Sequence, residues 1–158
     1  MPDVTFVPEV TFVPNVTFHT GLVDKLDFAY RLLRKAHRQG ARVIVCGDAQ
    51  ALTQLDEDLW VREVASFLPH VRLRVGEGAP EALARSPICL VEHGVEPAHK
   101  ELLVNLGPAG VDDALQFGRV IELVGVDVDE RAQGRARWRA YEAAGVAIVH
   151  HARSAGTP

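Results

Sequence analysis

The sequence predicts a single α/β domain built on a largely parallel sheet with helices on both faces. Three observations carry that prediction. Short apolar runs recur at Val43–Cys46 and Ile88–Val91, which are unbroken, and at Leu102–Leu106 and Val120–Val124, each interrupted by a single polar residue. A strand that is apolar on both faces is buried on both, which is the habit of parallel sheets between helical layers. Segments with apolar residues at helical spacing alternate with these runs. Finally, 158 residues with 47% hydrophobic content are enough for one core and short of two.

The chain opens on an internal repeat. Residues 3–18 read Asp-Val-Thr-Phe-Val-Pro, Glu-Val-Thr-Phe-Val-Pro, Asn-Val-Thr-Phe. Six residues is far too short a period for a solenoid. Val-Thr-Phe favours a strand, but Pro8 and Pro14 limit the first two copies to edges or loops. Only the third copy, Val16-Thr17-Phe18-His19, runs on without proline, so it is read as the first strand and residues 1–14 as an appendage to a domain spanning 15–151. Leu22, Leu26, Ala29, Tyr30, Leu33 and Ala36 then lie at helical spacing up to Gly40, a residue that stops helices. After the Val43–Cys46 strand, Asp48 is placed to cap a helix carrying Ala51, Leu52, Leu55 and Leu59. Val71–Val75 reads as a loop or short strand, and Gly76, Gly78 and Pro80 mark a loop. Val111–Phe117 suggests a short helix. A helix beginning near Asp127 follows the Val120–Val124 strand, Val146–Val149 suggests a last strand, and residues 152–158 form a tail.

Composition narrows the function. A formal net charge of -4 argues against wholesale wrapping of nucleic acid, so any contact with DNA is expected to be indirect. No run of 18 apolar residues and no basic-then-apolar leader are present, which points to the cytoplasm rather than a membrane or export. Cys46 and Cys89 each sit inside an apolar run and read as small buried hydrophobes.

The sequence holds no recognisable catalytic constellation. His19-Thr20-Gly21-Leu22, Cys46-Gly47-Asp48, Gly76-Glu77-Gly78 and Gly107-Pro108-Ala109-Gly110 lack the successive small residues and lysine of a phosphate cradle. His93, Glu96 and His99 share a loop without the spacing of a zinc motif, and His150-His151 stand near the C-terminus. Ser66 and Ser86 have no nucleophile-elbow context. The acidic run Asp56-Glu57-Asp58 fits a solvated helix face. No catalytic residue, metal or cofactor is assigned.

One stretch stands out in this acidic chain: Arg131-Ala132-Gln133-Gly134-Arg135-Ala136-Arg137-Trp138-Arg139, four arginines and no acid. On a helix capped near Asp127 and Asp129, Arg131, Arg135, Trp138 and Arg139 share one face. Arginines around an indole suit a ligand both anionic and aromatic or apolar. The plainer alternative is a solvated face with Trp138 turned into the core. Gly134 inside the helix costs roughly 1 kcal/mol relative to alanine, with no reason visible in the sequence.

Leu55-Asp56-Glu57-Asp58-Leu59-Trp60, followed by Ser66-Phe67-Leu68-Pro69-His70, resembles the Leu-Asp-x-x-Leu-Trp and Ser-Phe-x-Pro-His pattern of the chi subunit of bacterial DNA polymerase III. The likeness runs from Val16 to about Val149 and includes the basic helix ending Arg137-Trp138-Arg139-Ala140-Tyr141. It implies a Rossmann-like three-layer fold and a non-catalytic adaptor in DNA replication, one subunit of an assembly with DNA-directed DNA polymerase activity. The family links the clamp loader, through the psi subunit, to the acidic C-terminal tail of the single-stranded DNA-binding protein, which ends in a phenylalanine carboxylate. By this resemblance Arg135 and Trp138 take the tail-binding positions, Arg131 and Arg139 the flanking basic ones, and Val124 an apolar pocket wall. Trp138 stands where the family's best-known member has tyrosine. Trp60 and Phe67 match aromatic positions facing psi or an equivalent clamp-loader surface, with simple core packing beside Pro69 as the alternative. Two other functions stay open: a small α/β enzyme with a nucleotide or phosphate ligand, and direct binding of single-stranded DNA by the arginines and Trp138.

Overall fold

The computed structural model describes residues 15–62, 67–74, 85–107 and 109–153. Its strands are β1 (Asn15–Leu22), β2 (Val43–Cys46), β3 (His70–Leu73), β4 (Ile88–Val91), β5 (Leu102–Asn105), β6 (Arg119–Gly125) and β7 (Ile148–Ala152). Its helices are α1 (Lys25–Arg38), α2 (Ala49–Val61), α3 (Val111–Ala114) and α4 (Val128–Ala143). The repeat copies in residues 1–14, Ser66, the Gly76–Pro80 loop, Pro108 and the last five residues lie outside the described residues.

One sheet of order β3-β4-β2-β5-β6-β1-β7 organises the described chain, and every neighbouring pair in it is parallel. Strand alternation sorts the core into two layers. Val43 and Val45 of β2, with Leu102, Val104, Ile121 and Leu123, face α1 and α2, whose Tyr30, Leu33, Leu52 and Leu55 cover them. Ile44 and Cys46, with Phe18, Leu103, Val120 and Val124, face the opposite side, under Ala114 of α3 and Tyr141 of α4. The expected α/β class and two-sided cover are present, in a sheet that is parallel at every described pairing.

Helix starts follow the capping logic of the sequence. Asp24, Asp48 and Asp127 are the N-caps of α1, α2 and α4, each accepting backbone N–H bonds from the first turn. The last strand differs from expectation. It pairs from Ile148 opposite Val16 to Ala152 opposite Thr20, instead of spanning Val146–Val149. Gly145, at φ 81°, turns the chain out of α4, and the Val146 N–H bonds to Tyr141 O at 3.1 Å. Val146 is therefore spent closing the helix and covering the core, and the strand begins two residues later. Its pairing includes residue 152, and the Arg153 N–H then bonds to Thr20 O at 3.0 Å. Gly21 sits against that crossing at φ 71°, where a side chain would collide with the Arg153 carbonyl.

Candidate functional site

On the α4 side of β1 lies an open cleft of about 450 Å³, lined by Phe18 and Thr20 of β1, Val124 of β6, His150 of β7, and Arg131, Gly134, Arg135, Trp138 and Arg139 of α4. Buried Phe18 and Val124 make its apolar floor. Trp138 is half-buried, its ring 5.0 Å from that of Phe18 and 5.1 Å, edge-on, from that of His150. The opposite rim is fixed by His150, whose Nε2 lies 2.7 Å from Thr20 Oγ1. Arg131, Arg135 and Arg139 are exposed around this floor, and none of them makes an ion pair within the described residues. A concave apolar surface ringed by uncompensated guanidinium groups can hold an aromatic side chain while pairing with carboxylates.

The fourth arginine of the patch explains how α4 keeps this orientation. Arg137 turns inward, its Nε donating to Glu122 Oε1 at 2.9 Å and its Nη1 to Gly107 O at 3.2 Å. Glu122 is fully buried on β6 and also accepts from Tyr141 OH at 2.6 Å and from Asn105 Nδ2 at 3.0 and 3.2 Å. Asn105 Oδ1 in turn accepts the N–H groups of Gly107 and Ala109. Burial, then the charge of Glu122 and the bond to it, hold the Tyr141 hydroxyl far above its ordinary pKa, so it stays a neutral donor. A buried carboxylate is tolerated here because both oxygens are satisfied and a cation pairs with it. Pinning Arg137 and Tyr141 down aims Arg131, Arg135 and Arg139 outward. Gly134 completes the fit: a Cβ there would stand 3.0 and 3.2 Å from the Val124 methyls, so glycine is what lets α4 lie this close to β6. That supplies the reason for a residue whose helical cost the sequence left unexplained.

A second surface lies on the other side of the molecule, where α2 ends. Trp60 and Phe67 are 57% and 50% exposed, which sets aside the core-packing alternative for both. Their rings lie 5.1 Å apart, and each also contacts the ring of His70. His70 is held in place by Leu68 O at 2.7 Å and by Asp56 Oδ1 at 2.9 Å. Asp56 thus supports the aromatic pair, in place of the plain solvated role expected of it.

The crevice outside the carboxyl ends of the strands, where open α/β sheets take phosphate ligands, is lined by Asp24, Lys25, Asp48, Asp127 and Glu130. The amides that would bind a phosphate at three helix N-termini are already taken by Asp24, Asp48 and Asp127. Lys25 is also engaged, by Glu130 at 2.8 Å and Leu106 O at 2.6 Å. Acidic and internally satisfied, this crevice does not suit a nucleotide. Among the described residues no three His, Cys, Asp or Glu side chains converge as a metal set. Cys46 is buried, and burial with nearby Asp113 and Glu122 pushes its thiol up to about 11, which keeps it protonated and unreactive.

All five cleft residues singled out in the sequence, Val124, Arg131, Arg135, Trp138 and Arg139, therefore line one cavity, and Trp60 and Phe67 form one separate patch. Phe18, Thr20 and His150 were missed, because only the pairing of β1 with β7 brings them under α4. The Thr20 and His150 side chains gave no signal; Phe18 gave a faint one, as the third Phe of the repeat.

Fold and site together define a Rossmann-like α/β domain whose developed surface is a basic, aromatic-lined cleft. Residues 13–149 match the family model described as DNA polymerase III chi subunit, HolC. The chain is 33% identical over 129 residues to the DNA polymerase III subunit chi of Pseudomonas aeruginosa PAO1, covering 80% of this chain and 85% of that one. To the DNA polymerase III subunit chi of Escherichia coli K12 it is 32% identical over 109 residues, covering 68% and 71%. This chain belongs to the DNA polymerase III chi subunit family. Among solved structures it is similar to Mss116p DEAD-box helicase domain 2 bound to an RNA duplex, with a TM-score of 0.59 at 10% identity, covering 90% of this chain and 65% of that one. At such low identity the likeness concerns the fold alone. No helix among the described residues is long and apolar enough to cross a membrane.

Proposed function

We propose that this chain is a non-catalytic adaptor in DNA replication, working in the cytoplasm. Its cleft takes the acidic C-terminal tail of the single-stranded DNA-binding protein, and its Trp60–Phe67 surface takes psi or an equivalent clamp-loader surface. The observation that carries this reading is the cleft itself: three exposed arginines, without acidic partners among the described residues, around an apolar floor. Arg135 pairs with the terminal carboxylate, and Arg131 and Arg139 attract the aspartates upstream of it. Trp138, Phe18 and Val124 enclose the terminal phenylalanine ring. Contact with DNA is then indirect, through the tail.

The test is a titration with a fluorescent peptide carrying the tail of the organism's own single-stranded DNA-binding protein, beside the same peptide lacking its last phenylalanine. Binding on the order of micromolar for the first, and none for the second, is expected. Failure of both peptides to bind would overturn the reading.

A further inference from the structure

Strand β7 stands at one end of the sheet and, among the described residues, pairs with β1 alone. Four of its five residues are exposed. An edge strand presents a row of open N–H and C=O groups, which proteins ordinarily blunt with proline, lysine or a bulge. Ile148-Val149-His150-His151-Ala152 has none of these, and its register with β1 is unbroken from Val16–Ile148 to Thr20–Ala152. The ladder also fixes which groups are open. Arg153 gives its N–H to Thr20 O at 3.0 Å. Successive residues of a strand turn their main-chain groups to opposite sides. Val149 and His151 therefore turn to β1 as well, while His150 and Ala152 turn their N–H and C=O groups outward.

Continuity, charge and alternation name the occupant. His150 belongs both to this edge and to the rim of the cleft, so a peptide leaving the cleft over that rim arrives on β7. Strands lie about 4.8 Å apart, which puts an added strand about 10 Å from the Phe18 floor. Two extended residues cover about 7 Å of that, and a terminal phenyl ring covers the rest. No acid stands between Gly145 and the last residue. Arg153 lies over the Phe28 ring and forms no ion pair among the described residues. Side chains of a strand alternate between faces, so acids laid along β7 meet the α4 arginines on one face and His151 and Arg153 on the other. Direction follows from charge, because β7 leads in from Glu142 at the end of α4 and leads out to Arg153. We infer that an acidic peptide held in the cleft by a terminal phenylalanine continues as an eighth, antiparallel strand on β7. His150 and Ala152 then each exchange two main-chain hydrogen bonds with one peptide residue, two positions apart. The identity of the peptide rests on the adaptor reading; the open edge does not.

The experiment uses the full chain and a synthetic peptide of four aspartates, a leucine and a C-terminal phenylalanine. Amide hydrogen exchange along β7 is followed by NMR with and without the peptide. Affinity is measured for the plain peptide and for two forms N-methylated on alternate aspartates, the first and third or the second and fourth. The peptide is expected to slow exchange at His150 and Ala152 by about 10-fold and to leave Val149 and His151 nearly unchanged. One methylated form should bind about 3- to 10-fold more weakly for each blocked hydrogen bond, and the other about as well as the plain peptide. Binding without protection of His150 and Ala152, or equal effects of the two methylated forms, overturns the added strand and leaves the tail reading standing. If the plain peptide does not bind, the tail reading fails and the strand falls with it. Protection of His150 and Ala152 that precedes the peptide and grows with protein concentration would give the edge to a second copy of the chain and overturn the inference.

Discussion

Arg135 and Arg137 stand two residues apart on the same helix and have opposite fates. Arg137 is 11% exposed and locked to a fully buried carboxylate. Arg135 is exposed on the rim of the cleft, with no acid paired to it among the described residues. The difference teaches that a cluster of like charges in a sequence is not one feature. The guanidinium inside the fold is a strut, whereas its neighbours outside are exposed and pair with no acid among the described residues. Because the strut sets the rotation of α4, the two regions are coupled: the inner network decides where the outer arginines point.

The comparison can be broken from either side. The largest effect is expected from Arg137→Ala, which leaves Glu122 buried with only neutral donors. Its unfolding free energy should fall by about 3 kcal/mol, read from urea denaturation. A loss under about 1 kcal/mol would mean that Tyr141 and Asn105 hold the carboxylate without it. Arg135→Ala should do the reverse. The urea midpoint stays in place, while binding of the acidic tail peptide weakens by about 1.5–3 kcal/mol and loses part of its salt sensitivity. Unchanged affinity would remove Arg135 from the site. The smallest effect belongs to Gly134→Ala, at the seam between the two regions. Helix propensity gains about 1 kcal/mol, and crowding of stiff, buried Val124 costs about 1–3 kcal/mol. A net loss of about 1 kcal/mol and weaker peptide binding are expected; a gain in melting temperature would show that α4 lifts away freely.

Local periodicity made much of this legible in the sequence. The helical spacing of Arg131, Arg135, Trp138 and Arg139 fixes their common face, and apolar runs such as Val43–Cys46 mark strands buried on both sides. What escaped is what distant pairing creates. Glu122 reads as a lone acid in an apolar strand until Arg137, Tyr141 and Asn105 close around it. His150 reads as one of two neighbouring histidines until β7 lies beside β1. Gly134 reads as a defect until the Val124 methyls appear beneath it. In each case the missing information was a neighbour more than nine residues away.

The order of the strands has a consequence for how the site comes into being. β1, the first of the described strands, is flanked by β6 and β7, the last two of them, and finds no partner among β2 to β5. Translation delivers the chain from its N-terminus, so Phe18 waits unpaired until more than a hundred further residues have left the ribosome. Parallel pairing at such separation is slow, and the cleft needs β6, α4 and β7 together. A chain that stops before β7 therefore lacks the cleft, which exists only once the residues of β1, β6, α4 and β7 are all present.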